Sequence, residues 1–349
     1  MSLKISVAMA TYNGEKFVRE QIESILNQTL KPYEIVISDD ASTDQTLKIL
    51  LEYQKKYPNL IKVIPNKNNA GFVKNFERAL LNVTGDLVAL SDQDDVWLPE
   101  KLQEEYEVLE RDPNIGLVFS DLELVDETLN KIGSSMWKYH DWQMDGYIKG
   151  VDLFKQILKT NHVTGCTIMI RKKILNSLIP FDNRIHLHDY WLAIGASLLS
   201  DAFAINKQLV LYRQHSNNQI GGIKKTIDYN QYIINLQKQK EVLYKEFMFR
   251  ECLFEFVSNH TNDYLINKEV YKYVTFSKSR FELYSSQNAW SRIIDVFKLS
   301  FKMNYYDKKR AFLKDMVMIL PSKFSLKIKL IRFSIIKKLK SIFARESIR

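Results

Sequence analysis

The stretch Ser91-Asp92-Gln93-Asp94-Asp95-Val96-Trp97 decides how the chain is read. It follows Asp86-Leu87-Val88-Ala89-Leu90, a short apolar run that reads as a buried strand. It precedes Pro99, a residue suited to a helix start, and a helix-like run from Lys101 to Glu110. Three carboxylates therefore sit where a strand ends and the chain turns. Such strand ends are where α/β sheets place their ligands. Asp92 and Asp94 lie two apart, a spacing that lets both reach one divalent cation and the phosphates it carries. Hard oxygen ligands, few in number, suit Mg²⁺ or Mn²⁺. The competing reading is an acidic turn that caps a helix.

Upstream, strand and helix alternate. Lys4 to Ala10 reads as a strand, Thr11-Tyr12-Asn13-Gly14 as a turn, and Glu15 to Gln28 as a helix. Glu34 to Ser38 is a second strand ending in Asp39-Asp40, and Ser42 to Gln45 offers cap residues for a helix from Thr46 to Tyr57. Ile61 to Pro65 is a third strand, and Phe72 to Leu81 a third helix. This alternation predicts a parallel, doubly wound α/β sheet. No glycine triplet of the dinucleotide type and no phosphate-loop lysine motif appears.

Downstream, Ile115 to Ser120 and Thr164 to Ile170 read as strands, and Val151 to Leu158 as a helix. The aromatic, polar stretch Ser134 to Tyr147 is expected to be a loop. His188-Asp189-Tyr190-Trp191 opens an apolar helix through Leu199, and Phe203 to Tyr212 is a strand with a polar exit up to Gln219.

After Gly222 the character changes. Lys224 to Ser300 is helical by period. Residues 1–222 carry 24 Lys+Arg against 29 Asp+Glu, whereas residues 223–349 carry 26 against 12, so the net +9 comes from the second part. A basic half suits an anionic membrane face or nucleic acid. In the basic run 323–345, Ile331, Ile335, Leu339 and Ile342 fall on one helical stripe. That stripe fits either an interfacial helix or a helix packed on its own protein.

The length of 349 residues suits two domains, or one with an extension, and 46% hydrophobic residues suffice for a core. Two cysteines give no disulfide framework and no metal spacing, which favours a reducing compartment. The N-terminus reads as a strand rather than a signal peptide, and no apolar run approaches the ~20 residues of a membrane span.

Five motifs line up in order: Thr11 to Gly14; Asp39-Asp40 with Ser42 and Asp44; Gly71 with Asn75; Asp92-Gln93-Asp94-Asp95; and His188-Asp189. Together they closely resemble family 2 of the inverting nucleotide-sugar glycosyltransferases. The resemblance covers about residues 3–222. The phrases Ser91 to Trp97, His188 to Trp191 and Arg213 to Gln219 look most like its bacterial rhamnosyltransferase-like branch.

The resemblance implies a GT-A catalytic domain over 1–222, a doubly wound, Rossmann-like mixed sheet. Its nucleotide-binding part spans about 1–98 and its acceptor-binding part about 99–222. A basic, mainly helical region, 223–349, follows. Asp40 matches the acidic residue that accepts a hydrogen bond from the pyrimidine N3–H. Thr11, Tyr12, Asn13 and Glu15 match the loop that holds base and ribose, and Asp39 supports the turn. Lys74 sits near a position where relatives contact the diphosphate, and it also reads as a solvated helix lysine. Asp94 matches the direct metal ligand, Asp92 a ribose or metal contact, and His215 a further ligand for Mn²⁺ or Mg²⁺. Asp189 matches the catalytic base, with His188 where many relatives carry Glu. Arg213 and Trp191 are candidates for diphosphate or acceptor contacts, and Trp191, Trp137 and Trp142 for stacking on acceptor sugar rings, with core packing the favoured role for Trp191.

The implied reaction is metal-dependent transfer from a dTDP- or UDP-sugar to a hydroxyl of a glycan or lipid-linked acceptor in bacterial surface polysaccharide synthesis. The branch points to dTDP-L-rhamnose. UDP-galactose, UDP-glucose and UDP-N-acetylhexosamine remain alternatives. The implied location is cytoplasmic, with 323–345 holding the inner face of the plasma membrane and the C-terminal region also available for a homodimer. Nucleic-acid binding by the basic half is the reading from another class, and no nucleic-acid motif supports it.

Overall fold

In the computed structural model, which describes residues 2–215 and 229–285, strand β1 (Ile5–Thr11) is buried along its whole length. Successive side chains of a strand point to opposite faces. An unbroken buried pattern therefore means that both faces are covered. The same holds for nearly all of β2 (Glu34–Asp39) and for β4 (Leu87–Ser91), whereas β3 (Ile61–Pro65) is partly exposed at the sheet edge. The covering helices are α1 (Val18–Leu26), α2 (Thr46–Lys56) and α3 (Phe72–Asn82). α1 buries Val18, Ile22 and Ile25 on one stripe, each worth about 1.5–3 kcal/mol relative to exposure.

The strand order here is β3-β2-β1-β4, all parallel. The chain winds outward from β1 to β3 and then returns to the other side of β1. The crevice between the ends of β1 and β4 is thus a topological switch point, where open α/β sheets bind ligands.

The sheet continues through β5 (Val96–Trp97), helix α4 (Lys101–Arg111), β6 (Ile115–Val125), α5 (Met136–Tyr139), β7 (Gly146–Ile148) and α6 (Gly150–Lys159). A 3₁₀ turn at Gly165–Thr167 leads into β8 (Ile168–Arg171), α7 (Lys172–Leu175), α8 (His188–Leu199) and β9 (Asp201–Arg213). β8 lies antiparallel between β4 and β6, and β9 pairs with β6 in parallel and with β5 and β7 antiparallel. The result is one nine-stranded mixed sheet in the order β3-β2-β1-β4-β8-β6-β9-β5, with β7 also on β9. The part β3-β2-β1-β4 is the parallel, doubly wound sheet expected from the alternation, and the whole is the mixed sheet that the family resemblance implied.

The stretch Ser134 to Tyr147 is mostly loop, as expected, but a short helix and a strand interrupt it. The Trp137 N–H donates to the buried Asp121 carboxylate at 3.0 Å and its side chain is buried, which folds α5 onto β6. Gly146–Ile148 then adds β7 against the start of β9.

By contact the chain divides into units Met1–Ile223 and Lys224–Arg349. In the second, α9 (Tyr229–His260) and α10 (Tyr264–Ser285) break the helical run at Asp263, whose carboxylate accepts the Leu265 N–H at 2.8 Å. The pairs Phe254–Tyr271 and Phe247–Phe281 step in opposite directions along the two helices, so the helices are antiparallel. No described helix is long and apolar enough to cross a membrane. The basic run 323–345 and the Gly221-Gly222 exit lie outside the described residues.

Candidate active site

The switch-point crevice is built from loops that stitch themselves together. Asn13 has a left-handed backbone, φ 48°, which lets three successive backbone N–H groups turn toward the loop after β2. The N–H groups of Asn13, Gly14 and Glu15 donate to Ser42 Oγ, Thr46 Oγ1 and Asp44 Oδ2 at 2.9, 2.7 and 3.1 Å. In return Asn13 Oδ1 accepts from Thr43 N, and Glu15 Oε2 from Gln45 N, both at 2.8 Å. Thr11 Oγ1 donates to Asp39 Oδ1, which also accepts from Ser42 Oγ. Of the four residues expected around base and ribose, Thr11, Asn13 and Glu15 thus spend their side chains on the loops. Tyr12 is 38% exposed, and its side chain stands open to solvent.

Asp40 is fully buried. Its Oδ1 accepts from Asn66 Nδ2 and Ala70 N at 2.9 and 2.8 Å, and its Oδ2 from Gly71 N at 2.8 Å. A carboxylate has about four acceptor positions, so one remains on Oδ2. Gly71 has φ 84° and starts α3. Lys74, one turn on, is tied to Glu77 and donates to the Phe181 carbonyl at 2.9 Å, so its partly exposed ammonium is already held away from a diphosphate position.

The acidic loop closes the other side. Gln93 Oε1 accepts the Tyr12 N–H at 2.8 Å and Gln93 Nε2 donates to the Tyr12 carbonyl at 3.0 Å. A Cβ at Gly14 would stand 2.2 Å from Gln93 Oε1, so the glycine is what lets this amide lie across the turn. Sequence reasoning missed Gln93. Its role is a fit to a glycine 79 positions away, which leaves no local pattern.

Asp94 Oδ2 stands 2.8 Å from His215 Nε2, and the imidazole packs on Phe17 with ring centroids 5.0 Å apart. The two expected ligands, 121 positions apart, therefore converge. Asp92 is half-buried. Burial first, then the charges of Asp94 and Asp189, push its carboxyl up to about 8. Asp95 is buried, and burial with the Asp94 and Asp92 charges holds its carboxyl well above the usual range. Crowded carboxylates that resist ionisation are what a divalent cation relieves, and the oxygen and imidazole donors of Asp94 and His215 suit Mg²⁺ or Mn²⁺.

Arg213, expected at the diphosphate, is instead inside the protein at 1% exposure. Its Nε donates to the Asp94 carbonyl at 2.8 Å, its guanidinium also donates to the Glu127 carbonyl, and it pairs with Glu20 at 2.5 Å. It lies over the Phe17 ring, 4.5 Å from the centroid, and its N–H reaches Asp95 Oδ1 at 3.2 Å. It fixes the acidic loop and aims His215, two residues on. A buried guanidinium needs several acceptors, and only the folded chain brings these four segments together.

Asp189 lies in the first turn of α8, with its carboxylate charge felt at Asp92. Gly165 packs beside it: a Cβ there would stand 3.3 Å from Asp189 Cβ. His188 is buried, stacks on Phe76 at 4.1 Å, and has no hydrogen-bond partner on either ring nitrogen. Burial lowers its pKa, against the raising effect of Asp189. Trp191 is core. It is 4% exposed and its Nε1 donates to the Leu178 carbonyl at 2.9 Å, so the acceptor-stacking role falls away. Trp137 is buried, and Trp142 is stacked on His162 at 4.9 Å.

With this geometry in place, the chain was compared with known proteins. The family model described as "Glycosyl transferase family 2" matches residues 6–179. A "dTDP-rhamnosyl transferase RfbG" of Shigella flexneri is 34% identical over 230 residues, covering 61% of this chain and 73% of the relative. Among solved structures, S. aureus TarS superposes with a TM-score of 0.57 at 17% identity, covering 91% of this chain and 81% of that one. A TarS structure in complex with UDP-GlcNAc gives 0.54 at 20% identity, over 91% and 90%.

Proposed function

The chain belongs to glycosyl transferase family 2, and from that premise we propose that it is an inverting, cation-dependent glycosyltransferase using a dTDP- or UDP-sugar. The observation that carries this reading is the convergence of Asp94 and His215 at the switch point, with Asp92 near enough to feel the charges of both Asp94 and Asp189. A cation at Asp94, His215 and Asp92 would supply positive charge for the leaving diphosphate. The free acceptor position on Asp40 Oδ2 takes the N3–H of uracil or thymine. Cytosine, whose N3 accepts, is refused there. Tyr12 lines the base, and the ordered loop 11–15 keeps base and ribose in register.

Asp189 takes the proton of the attacking hydroxyl. A sugar hydroxyl is a weak nucleophile near neutral pH, so a carboxylate within hydrogen-bond reach must remove its proton. Attack from the face opposite the diphosphate inverts the anomeric carbon. Our preferred donor is dTDP-L-rhamnose, ahead of UDP-galactose, UDP-glucose and UDP-N-acetylhexosamine, and the similarity to a dTDP-rhamnosyl transferase supports that choice. The acceptor is a hydroxyl of a surface glycan precursor. We assign residues 1–222 to catalysis and the basic 223–349 to an anionic membrane face or to self-association.

The test is Asp189→Asn with a panel of nucleotide sugars. Transfer should fall about 10²–10⁴-fold, the usual worth of a general base. Stabilisation of the protein by donor and Mn²⁺ should persist. Unchanged turnover would remove Asp189 from the mechanism.

A further inference from the structure

Helix α3 meets the candidate site from two sides. Its first N–H, on Gly71, donates to Asp40 Oδ2 at 2.8 Å, and Asn75 Nδ2 donates to the Thr11 carbonyl at 3.0 Å. These bonds fix the helix to the side of the crevice assigned to the base. Other residues of the same helix reach the segment 176–187, which joins α7 to α8 and leads into His188 and Asp189. There Phe181 is buried, and Lys74 and Glu77 take both of its backbone polar groups. Glu77 accepts the Phe181 N–H, and Lys74 Nζ donates to the Phe181 carbonyl at 2.9 Å. The two side chains also pair with each other, Lys74 Nζ standing 3.1 Å from each Glu77 oxygen. A second grip lies next door. Phe76 stacks on His188 at 4.1 Å, and Phe72 meets the same ring edge-on at 5.9 Å.

We propose that Lys74 and Glu77 are positioning residues: by clamping Phe181 to α3 they set where Asp189 stands relative to a nucleotide sugar bound against Asp40. The pair suits that task. An N–H needs an acceptor and a carbonyl needs a donor, so one carboxylate and one ammonium complement the backbone of a single residue. Their charges strengthen both bonds, and their mutual attraction keeps each in place. A buried backbone needs partners from somewhere. Here both come from α3, whose eleven residues make about 16 Å of one rigid helix. The clamp and the contact with Asp40 therefore move as one body.

The assignment rests on the function proposed above, because it concerns the geometry of that reaction. A general base must stand within hydrogen-bond reach of the hydroxyl that it deprotonates. A misplacement of about 1 Å can cost about 100-fold in rate. One helix that holds both the base-side loop and the segment entering Asp189 fixes that distance directly. It also gives Lys74 a use other than phosphate binding, since its ammonium is shared between a carboxylate and a carbonyl.

The experiment uses the full chain with Mn²⁺, and compares Glu77→Ala, Glu77→Gln, Lys74→Met and the double variant Lys74→Met/Glu77→Ala with wild type. In Glu77→Ala and Lys74→Met, kcat should fall about 10–100-fold, the scale of a misplaced base, with the donor KM little changed. Glu77→Gln keeps an oxygen for the Phe181 N–H and should recover most of kcat. The double variant should be little worse than either single one, because all three break one clamp. Amide exchange at Phe181 should quicken in Glu77→Ala and Lys74→Met, while exchange at residues 13–15 should not. The extra thermal stabilisation that UDP gives over uridine should be the same in Lys74→Met as in wild type.

A wild-type kcat in folded Glu77→Ala would overturn the clamp. So would a Lys74→Met that loses the advantage of UDP over uridine, because that result returns the ammonium to the diphosphate. A Glu77→Gln as slow as Glu77→Ala would overturn it too, since the loss would follow the missing charge and not the Phe181 contact. If Glu77→Ala does not fold, Lys74→Met, changed at a partly exposed side chain, still decides by kcat and by UDP binding. A wild type that transfers no sugar removes the enzymatic reading and this assignment with it. A wild type that transfers while every variant matches it removes this assignment alone.

Discussion

Gln93 holds Tyr12 by both halves of its peptide, accepting from its N–H at 2.8 Å and donating to its carbonyl at 3.0 Å. Gln93 sits between the carboxylates Asp92 and Asp94, and Tyr12 is the exposed ring of the base-side loop. One amide therefore couples the two halves of the crevice. On the proposed function, a cation that shifts the acidic loop also shifts the loop assigned to the nucleotide.

Gln93→Ala removes two hydrogen bonds of about 0.5–1.5 kcal/mol each. The donor KM should rise about tenfold on that scale, with kcat changed much less. Gly14→Ala should give the same phenotype, because its Cβ would collide with Gln93 Oε1. The double variant should be little worse than either single one, since both break one contact. Steady-state kinetics on the four proteins checks this. Additive losses would show that the two residues act separately.

Arg213→Lys should destabilise the first unit nearly as much as Arg213→Met. A lysine cannot span the Asp94 and Glu127 carbonyls and Glu20 as the planar guanidinium does. Each carbonyl left without a donor costs about 1–3 kcal/mol. Glu20 is more than half exposed, so its own charge adds little. Urea unfolding of the three proteins measures the difference, and a lysine variant close to wild type would refute the assignment.

His188 makes stability fall on acidification. Its folded pKa is lowered by burial, so below about pH 6.5, the ordinary histidine value, the unfolded chain binds a proton that the folded chain refuses. Stability present above that pH is lost as the pH falls, with a slope of at most about 1.4 kcal/mol per pH unit for one proton. His188→Phe should flatten the fall between pH 7 and 5. Melting curves for both proteins, subtracted, isolate the effect from the other histidines.

Asp92 works in the opposite direction. Its folded pKa of about 8 lies above the unfolded value, so stability is lost as the pH rises from about 4 toward 8. Without divalent cation, Asp92→Asn should melt higher than wild type at pH 8, and the two should converge near pH 4. Added Mn²⁺ should stabilise the wild type more than the variant. A variant less stable at pH 8 would mean that Asp92 is ionised and well paired in the fold.

Much of this was legible in the chain itself. The period-two and period-3.6 runs gave β1 through β4 and α1 through α3 to within a few residues, because each is buried on a regular face. The pairing of Asp94 with His215 was anticipated from a family resemblance, not from spacing. Two-residue β5 carries no period at all, and the short α5 is held by Asp121 taking the Trp137 N–H and by its Ser135 cap. Arg213, a candidate contact for diphosphate or acceptor under the resemblance, is instead buried. Its burial depends on Glu20, 193 positions away, and on a ring of Phe17 beneath it. Trp191, for which core packing was the favoured reading beside a stacking role, is buried with its N–H on the Leu178 carbonyl.

Ser42, Asp44 and Thr46 fasten the peptide groups of residues 13–15 in the free protein. The recess is thus already in shape before any guest arrives, and little motional freedom remains to be surrendered on capture. Small fragments should profit from that stiffness. A bare pyrimidine nucleoside, with neither phosphate nor metal, would then find a foothold and leave the remaining grip to whatever its two phosphoryl groups add.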